Sequence, residues 1–377
     1  MSCTQGQRDY SLMGRDAEAA VAAGLAAAQW YSSPIPRKEL KDLMKRSDGS
    51  AIRDSLLWFA VLAVSGILGF YFWGSFWAIP SFVIYGVFYG SAGDSRWHEC
   101  GHGTAFKTRW MNDAVYHIAS FFMLREPTVW RWSHTRHHTD TIIVGRDPEI
   151  AAPRPPGFIV LLLNFFAIPN TWIAVKKLAL HATGRLNDEE MTYVPEMERW
   201  KVVLVARIYI GILSCVAALS LLTGSILPAM YIGLPTMYGG FMSHFFGLTQ
   251  HAGLAEDVID HRLNARTVYM NPVFRFIYWN MNYHVEHHMF PMVPYHALPR
   301  LHAAIKADLA VPYASTIEAY REIVPTLLRQ RHDPGYYVRR VLPGALASRR
   351  PVFRASRRRD TSAPGVLVSR RHFVTRL

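Results

Sequence analysis

Three histidine clusters stand out as residues whose type and spacing could do chemistry: His98-Glu99-Cys100-Gly101-His102, His134-Thr135-Arg136-His137-His138 and His284-Val285-Glu286-His287-His288. Residues three and four apart share one face of an α-helix. Each cluster can therefore present its imidazoles to one place. Imidazole suits iron, zinc and copper, and eight such side chains exceed what one four-coordinate ion needs. The arithmetic favours two metal ions.

Competing readings follow from the same residues. His98-Glu99-x-x-His102 matches the zinc-protease signature, in which two histidines bind zinc and the glutamate is the base. Six further histidines have no use in such a site, and the helices of the second hydrophobic hairpin offer no later aspartate. A carboxylate-bridged di-iron bundle needs two Glu-x-x-His repeats, and among the clusters only Glu99–His102 fits. A metal transporter or sensor would place ionisable residues along a path through the membrane, and the apolar runs are nearly free of them, Arg207 excepted. A His-rich two-metal site remains. Ligating histidines need a partner for the second ring nitrogen; Glu99, Asp140, Asp147 and Glu286 are the candidates, and Asn282 could hold a metal-bound water or cap a helix. Cys3, Cys100 and Cys215 form no close pair, so no disulfide framework or iron–sulfur site is expected.

The HxxxH, HxxHH and HxxHH clusters, in that order and interleaved with hydrophobic pairs, resemble the membrane fatty-acid desaturase and hydroxylase superfamily over about residues 50–310. The resemblance implies a non-haem di-iron centre that activates dioxygen and takes hydrogen from an unactivated C–H bond. It also implies a further histidine upstream of the third cluster. His251, in Leu248-Thr249-Gln250-His251-Ala252-Gly253, is the expected ninth ligand, with His244 one to two turns deeper. The implied metal set is His98, His102, His134, His137, His138, His251, His284, His287 and His288. The stretches Thr249–Asp257 and Asn280–Pro291 are similar in wording to a rhizobial branch. That branch includes the desaturase of dihydrorhizobitoxine, an amino acid, and an oxygenase of rhizopine catabolism. Desaturation of dihydrorhizobitoxine is the expected reaction, with fatty-acyl desaturation or small-molecule hydroxylation as alternatives.

These clusters need elements that return them to one side of a membrane. Half of the 377 residues are hydrophobic and only 18% charged, ordinary for a membrane protein and lean for a soluble one. Runs 56–73 and 76–93 form one expected hairpin, turning at Gly74-Ser75; runs 202–222 and 226–246 form a second, turning at Thr223-Gly224-Ser225. Each run is about the 17–25 residues that cross a bilayer. The run 158–175, interrupted by Asn164, Pro169 and Asn170, reads as interfacial or re-entrant. The expected fold is thus an all-α integral membrane protein: four transmembrane helices in two hairpins, with a cytoplasmic helical cap holding the metal site.

Lysine and arginine are dense outside the short turns and missing within them, so both termini and every cluster are expected on the cytoplasmic side; the resemblance to the rhizobial branch implies that the membrane is a bacterial inner membrane. The net charge of +13 is then mainly topological, and no recognised module supports nucleic-acid binding. Residues 1–50 show no signal peptide and form a cytoplasmic segment; 51–310 form the membrane unit; 311–377 end in an Arg-rich tail expected to be disordered. No haem-binding or Cys-rich stretch is present. Electrons are expected from a separate ferredoxin-type donor with its reductase.

Overall fold

A computed structural model describes residues 8–343; the Arg-rich tail lies outside them. Among the described residues the chain is helical, with only two isolated β-bridges, Thr267 with Tyr283 and Val268 with Tyr313. Two helical segments are long and apolar enough to cross a bilayer, Arg37–Tyr71 and Glu196–Thr223. Their outer faces carry exposed Leu56, Ile67, Phe70, Leu221 and Leu222. Apolar surface on this scale marks a face that lipid or another protein covers, and on helices of spanning length it suits a bilayer.

The returning member of the first expected hairpin is a helix carrying a π turn, and that of the second is broken into three. Run 76–93 divides into the Ala78–Gly86 helix, a π-helical turn Val87–Ser91 and the Ala92–Gly101 helix. Run 226–246 divides into Leu227–Tyr231, Leu234–Gly239 and Phe241–His251. Prolines at Pro228 and Pro235, together with Gly233 at φ 95°, interrupt the backbone ladder there. The π-bulged first member and the broken second member meet at glycines. A Cβ on Gly239 would lie 1.9 Å from the Gly86 carbonyl carbon, and one on Gly90 would lie 3.0 Å from that of Gly239. Small residues let backbones touch, and the Ser91 hydroxyl donates to the Gly239 carbonyl at 2.6 Å. The π turn lies directly before the first histidine cluster, a usual place for such a turn to sit near a functional site.

The run expected to be interfacial or re-entrant is a bent pair, Phe158–Phe166 and Ile168–Ala182, meeting at 79°. The bend is local chemistry. Ala167 takes a left-handed backbone at φ 49°, Pro169 opens the second helix, and the Asn170 amide donates to the Asn164 side chain at 3.3 Å. A core of Trp58, Trp97, Tyr116, Phe246, Trp279 and Tyr295 underlies the first and third clusters and fixes their helices against each other.

Candidate metal centre

The second cluster sits on the Pro127–Thr139 helix, which starts with proline and is capped by Glu126, whose carboxylate accepts from the Val129 amide at 2.6 Å. The third occupies the short His284–Met289 helix, entered through left-handed Trp279 and Asn280. The first lies at the end of the Ala92–Gly101 helix, and His251 ends Phe241–His251.

These four elements bring nine histidines into two groups: His98, His102, His134, His138 and His287; and His137, His251, His284 and His288. Within each group the ligand atoms all lie within 4.8 Å of one another. Successive helical residues point about 100° apart. His137 and His138 therefore serve different groups, as do His287 and His288, and each HxxHH cluster contributes to both. The groups adjoin: the His138 and His288 rings stack at 4.4 Å.

Hydrogen bonding shows what these rings can hold. His134 Nδ1 donates to Glu149 at 2.8 Å and His137 Nδ1 to Asp147 at 2.8 Å, while His251 Nδ1 donates to the Asn264 carbonyl at 2.7 Å. In a neutral ring, a proton on Nδ1 leaves Nε2 as a bare lone pair. Yet His134 Nε2 faces the Nε2 atoms of His98 at 2.9 Å and of His102 and His138 at 3.1 Å. His251 Nε2 faces that of His284 at 2.9 Å. Protonation does not relieve this crowding. Burial, then neighbouring histidines, hold His98, His134, His138, His251, His284, His287 and His288 well below the ordinary imidazole value, and His102 is lowered to about 4. Convergent neutral lone pairs are a cation site, and the donor set fits two borderline metal ions.

The carboxylates near the clusters divide. Asp147 orients His137, and also accepts from the Ile142 and Glu149 amides at 2.7 and 2.8 Å. Glu99 instead accepts from Thr104 and the Tyr295 amide, Asp140 pairs with Arg146, and Glu286 takes Thr267 and His302. Asn282 donates to the Val268 carbonyl at 2.8 Å, closing the loop before the third cluster. Burial pushes the Glu99 and Glu149 carboxyls up to about 7. Sequence reasoning missed Glu149, because it reaches His134 across an aperiodic loop. His261, outside the three clusters, also comes close: its ring lies between Trp30 at 4.3 Å and His288 at 5.1 Å. His244 lies on the cavity wall and in neither group. Replacing Asp147 with asparagine is expected to weaken iron binding about 10- to 100-fold, read as iron retained against a graded chelator.

A cavity of ≈ 660 Å³ adjoins the histidines, touching His98, His134, His137, His251 and His284. Its far wall is polar. Lys177 and His181 from the bent pair both hold Glu190, at 2.9 and 2.8 Å. Burial would raise the Glu190 carboxyl, but His181 and Lys177 outweigh it and draw it down to about 2. A depressed carboxyl stabilises the fold fully above its unfolded value of roughly 4.3, and that contribution disappears as pH falls toward about 2. Glu190→Gln should therefore lower the thermal midpoint at pH 7, by an amount equivalent to about 3 kcal/mol. The gap from the unsubstituted protein should narrow as melts are run from pH 5 downward.

Fold and site together define a helical protein with apolar helices of membrane-spanning length and two adjoining histidine groups able to hold metal ions beside a ligand-sized cavity. The fatty acid desaturase family description matches residues 75–320, so the chain belongs to the fatty acid desaturase family. Among curated relatives, it is similar to the Delta(12) fatty acid desaturase FAD2 of Calendula officinalis, 28% identical over 61% of this chain and 65% of that protein. It is also similar to the Delta(5) fatty acid desaturase fat-4 of Caenorhabditis elegans, 25% identical over 66% of this chain and 62% of that protein. An acyl-lipid omega-3 desaturase (cytochrome b5) of Arabidopsis thaliana is 23% identical over 71% and 70%. The chain spans less than two thirds of the length of the first two.

Proposed function

We propose that the protein is a dioxygen-dependent di-iron desaturase that introduces a carbon–carbon double bond, with the nine clustered histidines as the iron ligands. The observation that carries this reading is the pair of adjoining histidine groups with converging Nε2 atoms at the end of a cavity. Bound iron supplies activation of dioxygen for removal of hydrogen from an unactivated C–H bond. In the balanced reaction two hydrogens leave the substrate and, with two electrons and two protons from a donor, reduce one dioxygen to two waters.

The chain's own residues place the substrate and exclude water. Asp147 and Glu149 fix the tautomers of His137 and His134. Trp130 stacks on His134 at 4.3 Å and packs against Trp97, making one rigid wall of the cavity. The reducing partner in this reading is a ferredoxin-type protein with its reductase; the printed name of the Arabidopsis relative carries cytochrome b5 instead. The setting is a bacterial inner membrane with four crossings, the site and both termini facing the cytoplasm and the helical cap around the iron.

For the substrate, we favour dihydrorhizobitoxine. The wording of residues 249–257 and 280–291 supports it, and the Asp94–Arg125 and Lys177–Glu190 pairs, set in a lining of mixed polar and apolar residues, offer charged partners to a small polar molecule. The acyl-lipid reading is favoured by the relatives' names. The two separate in membranes from cells making the protein or an inactive ligand variant, supplied with dihydrorhizobitoxine, ferredoxin and reductase. Loss of two hydrogens from the small molecule supports our reading. Gain of an oxygen atom would make the protein a hydroxylase, and new double bonds confined to the lipids would make it an acyl desaturase.

A further inference from the structure

Beside the His134–Glu149 and His181–Glu190 pairs, three ion pairs formed by arginine or lysine lie on the cavity wall, and these three are not equally available to a ligand. Arg154 and Glu256 are sealed, with side chains 2% exposed on both sides. Of the Lys177 pair, Glu190 is wholly covered. Only Asp94 and Arg125 keep accessible surface on both partners, 20% and 38%, while lining the cavity. Their link is a single contact, Arg125 Nη1 to Asp94 Oδ1 at 3.1 Å. The guanidinium lies 4.2 Å over the Trp97 ring, which sets its plane and leaves further donors of its five-donor fork for a carboxylate. Asp94 likewise has a second oxygen beyond that contact.

Position matters as much as chemistry. Asp94 precedes His98 by four residues on the Ala92–Gly101 helix, so both lie on one face about 6 Å apart along the axis. Arg125 directly precedes Glu126, the cap of the helix that carries His134. A charged group held here sits within a short molecule's length of the first histidine group.

We propose that Asp94 and Arg125 bind the ammonium and carboxylate of a small amino-acid substrate, exchanging their mutual contact for the ligand's charges and placing the oxidised carbons a few bonds from that charged end. This rests on the desaturase reading above and names its specificity-determining pair. An acyl chain has no group to match such a pair beside the metal site. Desolvating the pair under a long hydrocarbon would cost free energy without return.

The test is calorimetric titration of dihydrorhizobitoxine, and separately of dioleoyl phosphatidylcholine in detergent mixed micelles, into the full-length protein in detergent after iron removal. The unsubstituted protein should bind the amino acid. Arg125→Gln and Asp94→Asn should each weaken it about tenfold or more, and Arg125→Lys, which keeps the charge, should weaken it less. Helix content and iron uptake of every variant are measured in parallel, so that misfolding is not read as lost recognition. Unchanged amino-acid affinity in folded Arg125→Gln and Asp94→Asn would make the pair structural and overturn the proposal. Binding of the lipid alone would overturn it too. Lipid double bonds formed by the iron-loaded protein would then leave the desaturase reading standing. Pair-dependent amino-acid binding with no dioxygen-dependent product from either pool would do the reverse, upholding the pair and removing the desaturase.

Discussion

His287→Ala should reduce the iron content from two per chain toward one and cut dioxygen-dependent product formation by more than about 100-fold, beyond the range of substitutions that only orient a ligand. His287 Nε2 lies 3.0 Å from that of His98 and 3.2 Å from that of His138, so it closes one side of the five-membered group. The side chain is fully buried, and its Nδ1 has no protein partner. Alanine leaves a void that no neighbouring ligand can fill. The control is His117→Ala, which removes an exposed histidine that belongs to neither group and should keep both irons. Metal analysis and product formation on the two variants check the pair of outcomes. An unchanged iron content in His287→Ala would take that residue out of the centre.

Gly239→Ala should abolish recovery of folded protein. The added Cβ would sit 1.9 Å from both the carbonyl carbon and the oxygen of Gly86, which are backbone atoms without a rotamer to move. The cost should exceed the about 1–3 kcal/mol of ordinary overpacking, because the contact joins the two broken helices that position the first cluster and His251. Gly247→Ala is the counterpart: its Cβ would meet nothing within 4 Å on the Phe241–His251 helix. It should be tolerated, or stabilising by about 0.5–1 kcal/mol. Gel filtration in detergent and thermal melts distinguish the two glycines.

The histidine clusters were legible because helical spacing alone places their side chains on shared faces. Their division into two groups was not, since it depends on how four separate elements are rotated about one point. Asp147 could be picked out by its nearness to the second cluster, and it does meet His137. Nearness served Glu99, Asp140 and Glu286 less well, as each finds its hydrogen bonds on an element remote in sequence or on a neighbouring arginine. Glu149 carried no periodic signal. Hydropathy marked the apolar runs 76–93 and 226–246, but averaging along a run hides its breaks. Gly233 and Pro235 were the local signals, and the close approach of Gly86 to Gly239 belongs to tertiary packing. The bend at residue 167 was foreshadowed by Asn164, Pro169 and Asn170.

The measurement that bears most directly on the whole account is metal content with spectroscopy on the purified, unsubstituted protein from iron-replete cells. Two irons per chain with the Mössbauer signature of a nitrogen-ligated pair is the predicted result. A single zinc per chain bound through the first cluster, with no iron, would contradict it.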